Sequence, residues 1–178
     1  MITLVLGGTR SGKSAVAERL VAGVAGPVTY VATGTETDAD MAARIAAHRA
    51  RRPAGWATVE CGAELVGALR AVVGTALVDA LGTWLAAVPA FAVDTAGLCQ
   101  ALLARHGDTV VVSEEVGMGV HPASVVGRQF RDALGELNQA VAAVADRTLL
   151  VVAGQVLLAG PASPARGAAG SAGRWAGA

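Results

Sequence analysis

The chain has 178 residues, of which 53% are hydrophobic and 16% charged, and its formal net charge is zero. This length favours one domain with its own core, and without a dense basic stripe the sequence does not indicate strong nonspecific binding of nucleic acid. The longest apolar stretch, residues 80–93, contains Pro89 and is shorter than the roughly 20 residues of a membrane span.

Five short apolar runs alternate with helical patterns along the chain. The runs are rich in Val and Leu without polar alternation, which is typical of strands covered on both faces. They lie at residues 2–6, 28–32, 76–79, 109–113 and 148–153, and the helical patterns lie at 14–23, 38–51, 63–73, 95–105 and 127–145. This order predicts an α/β fold with a mainly parallel sheet and helices on both faces.

A glycine-rich segment, here called the phosphate loop, follows the first run. It consists of Gly7, Gly8, Thr9, Arg10, Ser11, Gly12, Lys13 and Ser14. Its Gly-x4-Gly-Lys-Ser pattern between a strand and a helix is that of a P-loop, so we expect a single P-loop NTPase-like domain. Backbone N–H groups would cradle phosphates, Lys13 would reach the β- and γ-phosphates, and Ser14 would ligate Mg²⁺. The alternative is an ordinary glycine-rich turn before a helix.

A P-loop needs an acidic partner at the end of another strand, and the sequence offers two candidates. Asp79 ends the apolar run at 76–79, and we expect it on the magnesium side; alone, an Asp there also fits a turn or a helix cap. Glu114 and Glu115 follow the run at 109–113, where carboxyl ends of parallel strands face a ligand crevice. A solvated loop edge explains that pair equally well.

Four arginines and a histidine lie within nine residues, at 44–52, around the end of the helical pattern at 38–51. Arg44, His48 and Arg51 share one helix face, which could steer a polyphosphate, and the His48 imidazole could act as base or nucleophile. A solvated basic face with an incidental histidine is the alternative. His106, at a helix end, is interpreted as a C-terminal cap residue, whereas His121 lies in a loop that could face the site.

Two features bear on cellular location and on the end of the chain. Cys61 and Cys99 form no CxxC pair and are expected to be free thiols in a reducing cytosol. Since the N-terminus also lacks the basic region of a secretory signal, we expect a cytoplasmic protein.

The predicted domain spans residues 1–158. Residues 159–178, rich in Gly, Ala, Ser and Pro, are predicted to form a flexible tail.

An ordered set of motifs resembles a known family. It comprises Gly-Gly-Thr-Arg-Ser-Gly-Lys-Ser at 7–14, Tyr-Val-Ala-Thr at 30–33, Met-Ala-Ala-Arg-Ile-x-x-His at 41–48, Arg-Pro-x-x-Trp-x-x-x-Glu at 52–60, Glu-Val-Gly-Met-Gly at 115–119 and Arg-x-Phe-Arg-Asp-x-x-Gly-x-x-Asn-Gln at 128–139. Over residues 1–158 the chain resembles the bifunctional adenosylcobinamide kinase and adenosylcobinamide-phosphate guanylyltransferase of cobalamin biosynthesis.

The resemblance implies two reactions at one site. ATP or GTP would phosphorylate adenosylcobinamide; His48 would then attack the α-phosphate of GTP, and the bound GMP would pass to adenosylcobinamide phosphate, giving adenosylcobinamide-GDP. It also implies a homotrimer with sites near subunit borders. Nucleotide-binding positions carried over by motif match are the phosphate loop together with Ala32, Thr33, Gly34, Arg49, Ala50, Arg51, Arg52, Glu60 and Asp79.

The sequence departs from this family at two positions and leaves other readings open. Glu114 stands where the family commonly has Asn, adding negative charge near a phosphate site, and His121 stands where an apolar residue is usual. The base of the kinase step is unranked among Asp38, Asp40 and Glu115. A P-loop kinase of another small alcohol, or a nucleotide-binding module without turnover, are the alternative functions.

Overall fold

The computed structural model describes residues 1–34, 46 and 53–160. Seven strands are present in this part of the chain: β1 (Ile2–Gly7), β2 (Val28–Ala32), β3 (Ala57–Glu60), β4 (Thr75–Asp79), β5 (Thr109–Glu114), β6 (Arg147–Val152) and β7 (Gln155–Ala159). The helices here are α1 (Lys13–Ala22), α2 (Leu65–Ala71), α3 (Leu81–Ala86), α4 (Thr95–Ala104) and α5 (Val125–Val144), with a 3₁₀ turn at Pro89–Phe91.

The strands form one sheet in the order β3-β2-β4-β5-β1-β6-β7. Every neighbouring pair is parallel except β6 with β7, which is antiparallel. The mainly parallel α/β fold predicted from the sequence is therefore confirmed. Because β1, β4 and β5 run in the same direction, the phosphate loop, Asp79 and Glu114 all lie at the carboxyl edge of the sheet, where ligands bind in such folds.

The sheet is covered on both faces by apolar side chains. On one face α1 buries Val16, Ala17 and Val21 against alternate residues of the strands. On the other, α2, α3, α4 and α5 pack together around fully buried Trp84 and several leucines. Both faces of the central strands are thus buried, which is why those strands read as continuous apolar runs.

Three elements were not expected from the sequence. The strand β3 has largely exposed residues and only four positions, so it carries no apolar run. The helix α3 spans six residues inside the apolar stretch at 80–93, too short to show a helical period. The strand β7 follows β6 after Ala153 and Gly154, which both have positive φ, as in a tight two-residue hairpin turn.

The C-terminal cap assigned to His106 is wrong. The helix α4 ends at Ala104, and the capping residue is Arg105. Its guanidinium donates to the carbonyls of Leu69 at 2.9 Å, Val72 at 2.7 Å and Gly74 at 2.6 Å. These carbonyls belong to the end of α2 and the turn after it, so Arg105 satisfies acceptors that a helix end leaves without partners. Burial lowers the pKa of Arg105 from its ordinary value.

The expectations about a membrane span and about the cysteines can be compared with the structure. No helix in the described ranges is long and apolar enough to cross a membrane. Cys61 and Cys99 are free thiols, as expected, and burial is the main cause that raises the pKa of both. Of the predicted helix at 38–51, only residue 46 is among the described residues, and it is helical; the predicted tail from residue 161 onward lies outside them.

Candidate functional site

The phosphate loop turns through two residues with left-handed backbone. Arg10 has φ 58° and Gly12 has φ 94°, and the Ser11 N–H donates to the Gly8 carbonyl at 3.2 Å. Gly12, whose missing Cβ makes this conformation accessible, precedes α1, and its carbonyl accepts the Val16 N–H at 3.0 Å. Residues of alternating hand before a helix form the concave backbone that binds anions.

The loop is held from behind by the last hairpin of the sheet. The Gly154 N–H donates to the Ser11 carbonyl at 2.8 Å. A Cβ on Gly7 would lie 2.5 Å from Ser11 Oγ and 2.7 Å from the Val151 carbonyl oxygen, so only glycine fits this close approach. Thr9 and Arg10 remain exposed at the tip. The backbone of the loop is therefore fixed on one side and open on the other.

Lys13 points at the mouth of this loop and has two partners. Its Nζ lies 3.4 Å from the Gly8 carbonyl oxygen and 3.5 Å from Glu114 Oε1, and only 11% of its side chain is exposed. Glu114 in turn accepts the Gly82 N–H at 3.0 Å through Oε2. Of the two acidic candidates, Glu114 is thus the one that reaches the phosphate-loop lysine.

Asp79 lies beside Ser14, as the sequence predicts. Ser14 Oγ is 3.4 Å from Asp79 Oδ1, and the Tyr30 hydroxyl donates to Asp79 Oδ2 at 2.6 Å. A hydroxyl and a carboxylate at the end of the phosphate loop are hard oxygen donors, the kind that Mg²⁺ takes from a protein while phosphates and water supply the rest. These two residues therefore fit a magnesium ion bound with nucleotide.

Thr33 holds the segment after Asp79. Its side chain is buried; the hydroxyl donates to the Ala80 carbonyl at 2.6 Å and accepts the Ala80 N–H at 2.9 Å. It also bonds the Thr83 hydroxyl in α3. The Asp79–Ala80 peptide bond is cis. Thr33 thus fixes the backbone that carries Asp79.

The other predicted residues of this edge lie at the ends of β2 and β3. Ala32 pairs with Glu60 across these strands, and its carbonyl accepts the Cys61 N–H at 2.9 Å. Glu60 is exposed, and Gly34 lies near Thr83 of α3. The structure therefore brings Ala32, Thr33, Gly34 and Glu60 to the same sheet edge as the phosphate loop.

The remaining candidates separate into two groups. The first group lies outside the described residues and consists of His48, Arg49, Ala50, Arg51, Arg52, Asp38 and Asp40. Glu115 turns its carboxylate back onto the Gly117 N–H at 2.6 Å, and His121 Nδ1 lies 2.8 Å from Arg131 Nη1 in an exposed loop. Neither Glu115 nor His121 is bonded to the phosphate loop through its side chain.

Sequence reasoning missed three residues that shape this site. Tyr30 was noted only within a motif, and a tyrosine inside an apolar run was the available signal for a buried hydroxyl that needs a partner. Gly82 and Gly154 act through backbone N–H groups, so their side chains carried no signal. Only the meeting of α3 and of the last hairpin with this edge makes them part of the site.

Comparison with known proteins matches the sequence of this chain to one family. Residues 3–158 match the model of the CobU family, described as cobinamide kinase / cobinamide phosphate guanyltransferase. The chain is 39% identical to the bifunctional adenosylcobalamin biosynthesis protein CobP of Pseudomonas aeruginosa, over 86% of this chain and 94% of that one. It is likewise 39% identical to CobU of Salmonella typhimurium and 36% identical to CobU of Escherichia coli, each covering 86% of this chain and 97% of the relative.

Proposed function

Because this chain belongs to the cobinamide kinase / cobinamide phosphate guanyltransferase family, we propose that one triphosphate site, built on the phosphate loop, serves both of its reactions. The chain is a bifunctional kinase and guanylyltransferase of cobalamin biosynthesis. That membership sets aside a nucleotide-binding module without turnover. The observation that carries the proposal is Lys13, held at the mouth of a loop whose backbone is already shaped for phosphate.

In the kinase step, the phosphate loop and Lys13 hold the triphosphate of ATP or GTP. The aminopropanol hydroxyl of adenosylcobinamide attacks the γ-phosphorus, the bond from that phosphorus to the β–γ bridging oxygen breaks so that ADP or GDP leaves, and the hydroxyl proton is released to solvent. Lys13 stabilises the charge on the β- and γ-phosphates. Ser14 and Asp79 would hold Mg²⁺, which supplies charge neutralisation when bound. Tyr30 and Thr33 orient Asp79 and its backbone.

In the guanylyltransferase step, we assign the nucleophile to His48 on the motif at residues 41–48. One imidazole nitrogen attacks the α-phosphorus of GTP, pyrophosphate leaves, and GMP stays as a phosphoramidate. An oxygen of adenosylcobinamide phosphate then attacks this phosphorus, the P–N bond breaks, and adenosylcobinamide-GDP forms. We assign nucleotide contacts in this step to Arg49, Ala50, Arg51 and Arg52, and to the edge formed by Ala32, Thr33, Gly34 and Glu60.

The setting of both reactions completes the proposal. We place them in one domain, residues 1–158, acting in the cytoplasm as a homotrimer. The free Cys61 and Cys99 are compatible with a reducing compartment. The family membership also sets aside a kinase of another small alcohol, the other alternative that the sequence left open.

The division of roles is tested by incubating the protein with α-labelled GTP. We expect acid-labile, base-stable label on the wild type, no label on His48→Ala with kinase activity retained, and loss of both activities in Lys13→Ala. His106→Ala, an exposed histidine near the amino end of β5, is the matched control and should label normally. Label that persists in His48→Ala, or kinase activity without any label in the wild type, overturns the covalent mechanism.

A further inference from the structure

The loop after β5, residues 115–124, presents large apolar side chains to solvent. Met118 is 75% exposed and Val120 is 97% exposed. The first two residues of α5, Val125 and Val126, are 60% and 62% exposed. These four exposed side chains lie within nine residues of sequence, and we call them together the apolar loop patch; concentrations of exposed apolar side chains often mark binding surfaces.

This loop is held in place although its apolar side chains face outward. The Glu115 N–H donates to the Gly7 carbonyl at 3.1 Å, and Val116 packs against the larger core. At the other end, the Arg128 guanidinium donates to the carbonyls of Pro122 at 3.0 Å and Ala123 at 2.9 Å. The exposed apolar side chains therefore lie on a loop that is anchored at both ends.

The position of the patch connects it to the nucleotide site. The loop leaves the carboxyl end of β5 directly after Glu114, whose carboxylate lies 3.5 Å from Lys13 Nζ. Met118 is four residues further on, so its backbone lies within about 14 Å of Glu114 even if the chain is fully extended. The anchoring bond to Gly7 keeps the start of the loop against the phosphate loop.

The substrate of this family has the matching chemistry. A corrinoid combines a broad macrocycle with apolar faces, amide groups at its rim and a flexible arm that ends in the reacting hydroxyl. A site for it needs an apolar surface beside the point of phosphoryl transfer. We propose that the apolar loop patch is the surface on which the corrin ring rests, with Met118 and Val120 as specificity-determining residues. This inference depends on the proposed kinase function.

The experiment measures the KM for adenosylcobinamide in the double variant Met118→Ser/Val120→Ser. We expect KM to rise at least about tenfold, because two apolar contacts with the ring are lost, while kcat at saturating substrate and the affinity for GTP change less than about twofold. The matched control is Val73→Ser, 80% exposed in the turn before β4 at the opposite edge of the sheet. This control should leave KM unchanged. Val120→Ile, which keeps an apolar side chain, should have a KM close to that of the wild type.

Three outcomes overturn the inference. An unchanged KM in the double variant, with the wild type active on adenosylcobinamide, rejects the patch as corrin site and leaves the proposed function intact. A smaller assembly of the double variant by light scattering assigns the patch to contact with a second copy. A wild type that phosphorylates no cobinamide removes the proposed function and this inference together. Thermal unfolding of each variant shows that the folded protein was measured.

Discussion

When a triphosphate binds, its oxygens and the Glu114 carboxylate compete for the ammonium group of Lys13. Its ammonium lies 3.5 Å from Glu114 Oε1, and phosphate oxygens must compete with that carboxylate for the same charge. The carboxylate also repels an approaching polyphosphate, since like charges at short range raise the energy of the bound state. We therefore expect Glu114 to lower the affinity of the phosphate loop for the nucleotide.

Replacing Glu114 with Gln should strengthen GTP binding by about three- to tenfold. The amide oxygen can still accept the Gly82 N–H, whereas the charge beside Lys13 disappears; the gain is modest because Glu114 is partly solvent-exposed. Calorimetric titration measures the effect. Glu115→Gln is the control, because that carboxylate bonds the Gly117 N–H instead of Lys13. Weaker binding in Glu114→Gln would instead make Glu114 a contributor to nucleotide binding.

Residue patterns predicted some of this site and could not predict the rest. The carboxyl ends of β1 and β4 follow from apolar runs, so the proximity of Ser14 and Asp79 was accessible from the sequence and is seen at 3.4 Å. The bond from Tyr30 to Asp79 depends on the neighbouring positions of β2 and β4 in the sheet. Strand order is a tertiary property, which local patterns do not contain.

At the scale of elements, the strands that could be predicted from the sequence are those that are deeply buried. The interior strands β1, β2, β4 and β5 read clearly because both of their faces are covered. The edge strands β3 and β7 are mostly exposed. The hydrophobic pattern of β3 was therefore weak, and the apolar residues of β7 could not be separated from those of β6 in the sequence. The Ala153–Gly154 turn also lacks the Asn or Asp that usually signals a two-residue hairpin.

Arg105 links two helices and a strand, so its removal should destabilise the fold. In Arg105→Ala the end of α2 loses three hydrogen bonds to a charged donor, and the Thr109 hydroxyl loses another. We expect the free energy of unfolding to fall by about 2–4 kcal/mol, measured by urea denaturation. Arg70→Ala, exposed in the last turn of α2, should cost less than about 1 kcal/mol. Equal losses in the two variants would contradict the capping role.

At the scale of the whole molecule, we expect β7 to contribute to subunit contact. Val156, Leu157 and Leu158 are 46%, 55% and 74% exposed on an edge strand, and exposed apolar edges invite pairing with another chain. The homotrimer is a proposal taken from the family resemblance, and this edge supplies apolar area for it.

Light scattering should give three times the chain mass of 17.6 kDa. A charge on the proposed contact should dissociate the assembly, so Leu158→Glu is expected to give a smaller species. Leu103→Glu, 63% exposed on α4, should leave the mass unchanged. A wild-type monomer would reject the trimer, and an intact trimer of Leu158→Glu would reject β7 as its contact.

The central place of β1 in the sheet has a consequence for synthesis on the ribosome. Residue 2 pairs with residue 109 and residue 3 with residue 147, so β1 is synthesised well before the strands that it pairs with. The phosphate loop waits longer still, because the Ser11 carbonyl needs the N–H of Gly154. We therefore expect a nascent chain to complete its nucleotide site only after Gly154 has left the exit tunnel, long after the phosphate loop itself was made.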